Sequence, residues 1–70
     1  MASFRLGSSG EEVVRIQERL RDLGLYTGAI DGRFGGGTES AVKAFQAQED
    51  LEVDGIVGPE TFEALFDEEA

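Results

Sequence analysis

Asp31-Gly32-Arg33-Phe34-Gly35-Gly36-Gly37-Thr38-Glu39-Ser40-Ala41-Val42 aligns without a gap on Asp54-Gly55-Ile56-Val57-Gly58-Pro59-Glu60-Thr61-Phe62-Glu63-Ala64-Leu65, 23 residues further on. Both stretches read Asp-Gly-x-apolar-Gly-x-x-Thr-x-x-Ala-apolar. Asp accepts hydrogen bonds from nearby backbone N–H groups, and Gly takes the positive φ that other residues resist. The apolar residue, Phe34 or Val57, pins the turn to a core. The second Gly allows close backbone approach or serves as an N-cap. Pro59 stands where a first helical residue would be, its φ preset and its missing N–H harmless. Thr, Ala and the last apolar residue then fall on one helical face. The unit is a turn that launches a helix, and the chain uses it twice. Two copies are too few for a stacked solenoid, so the pattern reads as an internal repeat inside one bundle.

Working outward, Ser9 and Glu12 form a capping-box pattern that predicts a helix from about residue 10. Val13, Ile16, Leu20 and Leu23 recur on one helical face, and Gly24 is a stop signal. Glu11 and Glu12 suit the positive end of the helix dipole, and Glu11–Arg15 is an i,i+4 pair in the favourable order. The first helix is therefore expected over 10–23. The second is expected over 36–49, with Thr38, Ala41, Val42 and Phe45 on its buried face, and the third over 59–66, with Phe62, Leu65 and Phe66. Three glycines at the entry to the second helix cost order that a Pro at Gly36 would supply. Leu51-Glu52-Val53 alternates and suggests a brief extended segment, with Leu51 and Val53 toward the core. Gln17 and Gln46 each follow an apolar core position, which suits a half-buried amide bonding loop backbone. Tyr26 reads equally as core or as the wall of a surface groove with its hydroxyl exposed.

The fold class is an all-α, compact three-helix bundle. Seventy residues allow one domain over 1–70, with its core within 4–66 and an acidic tail at 67–70. Met1-Ala2-Ser3 and Asp67-Glu68-Glu69-Ala70 read as the edges of a module cut from a longer, multidomain protein. There is no signal peptide and no apolar run long enough for a transmembrane helix. With no Cys and no His, disulfides and ordinary zinc sites are excluded as staples. A net charge of −9 argues against nucleic acid and anionic membrane surfaces as partners. It suits solubility, or a partner that carries amines.

The same composition argues against an enzyme. No Cys-His or Ser-His-Asp set can form, and the acids sit on turns and polar helix faces. Asp50-x-Glu52-x-Asp54-Gly55 imitates the start of a calcium loop. Its twelfth position is Thr61 where a bidentate Glu is needed, and the first copy lacks the upstream acids. No metal or cofactor is expected.

The ordered series Leu6-Gly7-Ser8-x-Gly10-x-x-Val13-x-x-Ile16-Gln17-x-x-Leu20-x-x-Leu23-Gly24 resembles the opening of the peptidoglycan-binding-domain-1 family. Tyr26-x-Gly28-x-Ile30-Asp31-Gly32-x-Phe34-Gly35-x-x-Thr38-x-x-Ala41-Val42-x-x-Phe45-Gln46 resembles its middle, and Leu51-x-Val53-Asp54-Gly55-Ile56-Val57-Gly58-Pro59-x-Thr61-Phe62-x-Ala64-Leu65 its end. The resemblance covers residues 6–65. It implies a three-helix module appended to cell-wall amidases, other murein hydrolases, L,D-transpeptidases and spore-cortex enzymes, where it is a non-catalytic anchor. The partner implied is peptidoglycan, glycan strand and stem peptide, met by a monomer. The location implied for the parent protein is extracellular, periplasmic or in the cell wall.

Family members often carry a Pro-like residue at Gly36 and Trp at Phe62. The metalloproteinase propeptide has a similar fold, and the cysteine of its switch has no counterpart here. A protein-interaction or prodomain-like module on the same fold is the alternative. The candidate ligand-binding residues are Tyr26, Thr27, Asp31, Arg33, Phe34, Gly36 and Thr38. The second helix's N-terminus and Arg33 suit a carboxylate, while Asp31 and its neighbours suit an amine. For Phe34 and Thr38 a purely structural role is the stronger reading.

Overall fold

Val13, Ile16 and Leu20 fall on one stripe of α1 (Glu11–Asp22), and all three are completely buried in the computed structural model, which describes residues 3–67. Two further helices follow, α2 (Gly36–Gln48) and α3 (Pro59–Asp67), and α1 packs against both. Among the described residues there is no strand, only isolated bridges of Phe4 with Val57 and Ser9 with Arg33. The all-α, three-helix expectation agrees with this architecture. Of the expected tail, only Asp67 lies within the described residues, and Met1 and Ala2 lie outside them as well.

The ends of α1 differ from the capping-box expectation. Its N-cap is Gly10, at φ 121°, and makes no side-chain cap bond. Ser9 lies one residue before the cap, opposite Arg33 in an isolated bridge. Arg15 reaches Glu12, at 3.9 Å and i,i+3, rather than the expected i,i+4 partner Glu11. Both side chains are about half exposed, so the pair adds little stability.

The C-terminus follows the sequence signal. Gly24, at φ 79°, reverses the chain, with Gly24 N–H donating to the Arg21 carbonyl and Leu25 N–H to the Leu20 carbonyl. The end of α2 repeats this arrangement with Asp50 at φ 60°, the Asp50 N–H on Ala47 O and the Leu51 N–H on Gln46 O. An aspartate tolerates the left-handed region better than most residues, because its short side chain bonds locally.

The core joins Val13, Ile16, Leu20, Tyr26, Phe34, Ala41, Val42, Phe45, Val57 and Leu65. Leu51 packs at its edge, whereas Val53, expected inside, is 51% exposed. The 51–53 segment follows a left-handed reversal and leads into a turn, so its alternation never becomes a paired strand. An aromatic seam closes the base of α3: Phe62 lies 6.3 Å from Phe4 and 4.6 Å from Phe66, and Arg15 stacks over Phe66 at 5.2 Å. Arg19 Nε donates to Leu65 O at 2.7 Å, satisfying a carbonyl in the last turn of α3.

The N-terminal segment ties the two turns together. Phe4 exchanges both backbone hydrogen bonds with Val57, while Gly7, Ser8 and Gly10 bond to Phe34 and Gly32. One strip of chain thus fixes both copies of the turn.

Gly36 occupies the first position of α2, the place Pro59 holds in α3. Gly35 before it is extended, at φ −102° and ψ −169°, as a residue before proline must be. A Cβ at Gly36 would meet nothing within 4 Å. Gly36→Pro is expected to stabilise the fold by about 0.5–1 kcal/mol through the unfolded chain, raising Tm by roughly 2–8 °C. Thermal unfolding followed by circular dichroism checks this; an unchanged or lower Tm would show that the α2 entry is not as described.

Candidate functional site

Each Asp-Gly turn is held by a glutamine sealed inside the protein. Gln17, on α1, is completely buried, and Gln46, on α2, is 1% exposed. The sequence suggested half-buried amides; the interior location follows from the turns folding over them. Gln17 Oε1 accepts from the Gly32 N–H at 2.9 Å, which fixes the orientation of the amide because a backbone N–H can only donate. Gln17 Nε2 then shares its hydrogens among Arg33 O (2.9 Å), Thr38 Oγ1 (3.0 Å) and Asp31 Oδ1 (3.2 Å).

Gln46 makes the corresponding set. Its Oε1 accepts from the N–H groups of Gly55 (3.0 Å) and Asp54 (3.1 Å). Its Nε2 meets Asp54 Oδ1 (2.9 Å), Ile56 O (3.0 Å) and Thr61 Oγ1 (3.1 Å). Asp31 Oδ1 also accepts from the Arg33 N–H, and Asp54 Oδ1 from the Ile56 N–H, both at 2.9 Å.

These bonds set the charge state of both acids. The Arg33 backbone N–H and then the Gln17 amide hold the Asp31 carboxyl below its usual range. The Ile56 backbone N–H and the Gln46 amide do the same for Asp54. Both glycines of the turns sit at φ 74°, with neighbours close by. A Cβ on Gly32 would lie 3.0 Å from Val14 and 3.3 Å from Gly10 O, and one on Gly55 would lie 3.0 Å from Glu39 and 3.1 Å from Lys43. Glycine suits both the backbone and the space at these two positions.

Of the residues singled out for binding, Phe34 (2% exposed) and Thr38 (1%) lie inside the fold. Asp31 is exposed, but its Oδ1 is engaged in the turn. Arg33 and Gly36 are exposed on the turn and at the first position of α2. Tyr26 belongs to the core, and its hydroxyl donates to Ala29 O at 2.7 Å.

Tyr26, with exposed Thr27, lines an open groove of ≈ 390 Å³ between the 25–28 connector and α2. Leu25, Gly28, Gly37, Ser40 and Ala41 complete it. None of the described residues that line the groove is charged; Thr27 and Ser40 are its hydroxyl-bearing members beside Tyr26. Sequence reading missed Gly28, Gly37 and Ser40. A Cβ at Gly28 would approach the Tyr26 hydroxyl to 2.8 Å, so Gly28 lets the connector close over the ring. Among the described residues, no three His, Cys, Asp or Glu side chains converge as a metal site.

The family model described as "Putative peptidoglycan binding domain" matches residues 9–65. The N-acetylmuramoyl-L-alanine amidase CwlM of Mycobacterium tuberculosis is 42% identical over 76 residues, covering 93% of this chain and 19% of that protein. The spore cortex-lytic enzyme of Bacillus subtilis is 50% identical over 61 residues, covering 86% of this chain and 20% of that protein. The chain thus spans about a fifth of the length of such relatives. Among solved structures, the SleB N-terminal domain superposes with a TM-score of 0.94 at 40% identity, over 99% of this chain and 94% of that one. An L,D-transpeptidase from Xylanimonas cellulosilytica superposes with a TM-score of 0.87 at 45% identity, over 93% of this chain and 32% of that one.

Two predictions follow from the buried amides. Gln17→Ala or Gln46→Ala strands buried donors and acceptors and opens a cavity, at an expected cost of about 3 kcal/mol or more. The nearly isosteric Gln17→Glu should cost at least as much at pH 7, because a carboxylate cannot donate to Asp31 or Thr38; urea titration of a stable Gln17→Glu protein would show that the amide is not the lock. The second concerns acid. A carboxyl held below its usual value, about 3.9, stabilises the fold above that pH and loses the effect as pH falls through the lowered value. Relief of repulsion in a chain of net charge −9 works in the opposite direction, so a difference must be measured. The stability advantage of the native protein over Asp31→Asn/Asp54→Asn should shrink steadily from pH 5 to pH 2.

Proposed function

This chain belongs to the peptidoglycan-binding domain family, and on that premise we propose that it is a non-catalytic module that holds an attached enzyme on peptidoglycan. The observation that carries the reading is the uncharged groove of Tyr26, Thr27 and Ser40. Its hydroxyls and apolar walls suit an N-acetylated sugar or a peptide backbone, which are polar at the edges and uncharged. Thr27 and Tyr26 make contact from the original candidate set. Arg33 and the exposed first turn of α2 at Gly36 supply a positive end for a stem-peptide carboxylate. Asp31, Phe34 and Thr38 act through the turn, by holding it.

Absence of catalysis in the chain itself belongs to the same proposal. It has no His and no Cys, and the turns favour the ionised forms of Asp31 and Asp54, the opposite of what a general acid needs. The module works as a monomer within a longer protein, outside the cytoplasm or in the wall, where tethering converts weak contacts with a repeating polymer into residence.

Sedimentation with purified murein sacculi tests the proposal. The native protein is expected in the pellet at moderate salt. Ser40→Tyr, which places a ring across the groove from an exposed position, is expected to weaken retention roughly tenfold with Tm unchanged. A native protein that stays in the supernatant would refute wall binding, and undiminished retention of Ser40→Tyr would remove the groove from it.

A further inference from the structure

An Asp-Gly step is open to a modification that needs no enzyme, and this chain carries the step twice, at Asp31-Gly32 and Asp54-Gly55. The backbone nitrogen of the glycine attacks Cγ of the aspartate, and a succinimide ring closes. The N–Cγ bond forms as one carboxyl oxygen leaves as water, taking the carboxyl proton and the amide hydrogen of the glycine. Water then opens the ring at either carbonyl. One product is aspartate again; the other is isoaspartate, whose main chain runs through Cγ. Glycine favours the attack because no Cβ shields its nitrogen.

Both reactants of that step are engaged elsewhere in this fold. Gly32 is buried, and its nitrogen donates to Gln17 Oε1 at 2.9 Å; Gly55 is buried, and its nitrogen donates to Gln46 Oε1 at 3.0 Å. The carboxylates are held by other donors. Asp31 Oδ1 accepts from the Arg33 N–H and Gln17 Nε2, and Asp54 Oδ1 from the Ile56 N–H and Gln46 Nε2. One amide thus grips nucleophile and electrophile through different atoms. The same bonds favour the ionised carboxyl, whereas the oxygen departs as water from the protonated one.

We propose that Asp31 and Asp54 are latent isoaspartate sites, and that Gln17 and Gln46 keep them shut. Modification then proceeds from the opened turn alone, at a rate set by the fraction of time the lock is open. The step is also one-way for the fold. Isoaspartate adds a carbon to the main chain and leaves the carboxylate directly on Cα. The acceptor that met the Arg33 or Ile56 N–H is then out of place, and the lock cannot close as before. A passing opening becomes a permanent one, so the glutamines guard the covalent chain as well as the fold. The inference concerns the turns and stands independently of peptidoglycan binding.

The test is prolonged incubation of the native protein at neutral pH, beside the same chain unfolded in guanidinium chloride. Chromatography of proteolytic digests separates aspartyl from isoaspartyl peptides. Both sites are expected to isomerise at least about tenfold more slowly in the folded protein. Equal rates would overturn the proposal. Thr38→Val then loosens one lock, since it removes the Oγ1 acceptor of Gln17 Nε2 and leaves the Asp-Gly step intact. Isoaspartate at Asp31 should form roughly threefold faster, the scale of one lost hydrogen bond, with Asp54 unchanged. Thr61→Val is the mirror case at Gln46, with the two sites exchanged. In variants that circular dichroism shows to be folded, an unchanged rate at the loosened site, or an equal rise at both, would overturn the role of the glutamines. The comparison of folded with unfolded native chain decides the proposal even where a variant does not fold.

Discussion

A primary amide sealed in an apolar interior must find partners for its two N–H bonds and its carbonyl, or it costs the fold several kcal/mol. Gln17 and Gln46 find theirs in a turn that has already used its aspartate on its own backbone. The bonds therefore connect elements distant in sequence: Gln17 on α1 fixes the turn that launches α2, and Gln46 on α2 fixes the turn that launches α3. Each helix carries the group that sets the entry of the next. Among the described residues, no buried side-chain nitrogen or oxygen lacks a partner, so this polar content is compatible with a small core. Once the turns are fixed, Phe34 and Val57 can only point inward, and the core assembles around them.

The same logic explains how α3 survives. At nine residues it is too short to be stable alone. Its entry is held by the Gln46 lock and by Pro59; its exit is held by Arg19 on the Leu65 carbonyl and by the aromatic seam to Phe4. The N-terminal segment adds a third constraint, since Phe4 bonds the second turn while residues 7–10 bond the first. One strip of backbone thus bonds to both turns.

Most of the architecture was legible because it rests on local chemistry. Asp-Gly, the helical stripe of Val13, Ile16 and Leu20, Gly24 and Pro59 each act within a few residues, and each sits where the pattern places it. What was not legible depends on partners far away in the chain. Ser9 looks like a cap until its neighbours Ser8 and Gly10 bond to Phe34 and Gly32 and set it opposite Arg33. Gln17 looks half-buried until residues 31–38 close over it. Val53 follows the apolar alternation of a strand, yet the described residues include no neighbouring strand to bury it. Tyr26 could have faced either way, and the choice was made by Ala29 O and by the missing side chain at Gly28. The uncharged groove was half legible for the same reason: Tyr26 and Thr27 are adjacent in sequence, but Gly37 and Ser40 join them only through the fold.

The residues that make the sequence recognisable are largely spent on the fold. Asp31, Gly32, Phe34, Thr38 and Gln17 face one another, as do Asp54, Gly55, Val57, Thr61 and Gln46, and the two sets make nearly the same bonds. A change in any of them alters the lock before it alters a surface. Surface chemistry is therefore left to the flanking positions, which the locks hold in place without constraining in type. Those positions differ between the copies: Tyr26, Thr27 and Ser40 beside the first, Glu52, Pro59 and Glu60 beside the second. An interior held constant and an exterior free to diverge is what allows one short scaffold to present two unlike surfaces. The strongest motif in the chain is thus accounted for by the fold it builds, through the bonds of Gln17 and Gln46.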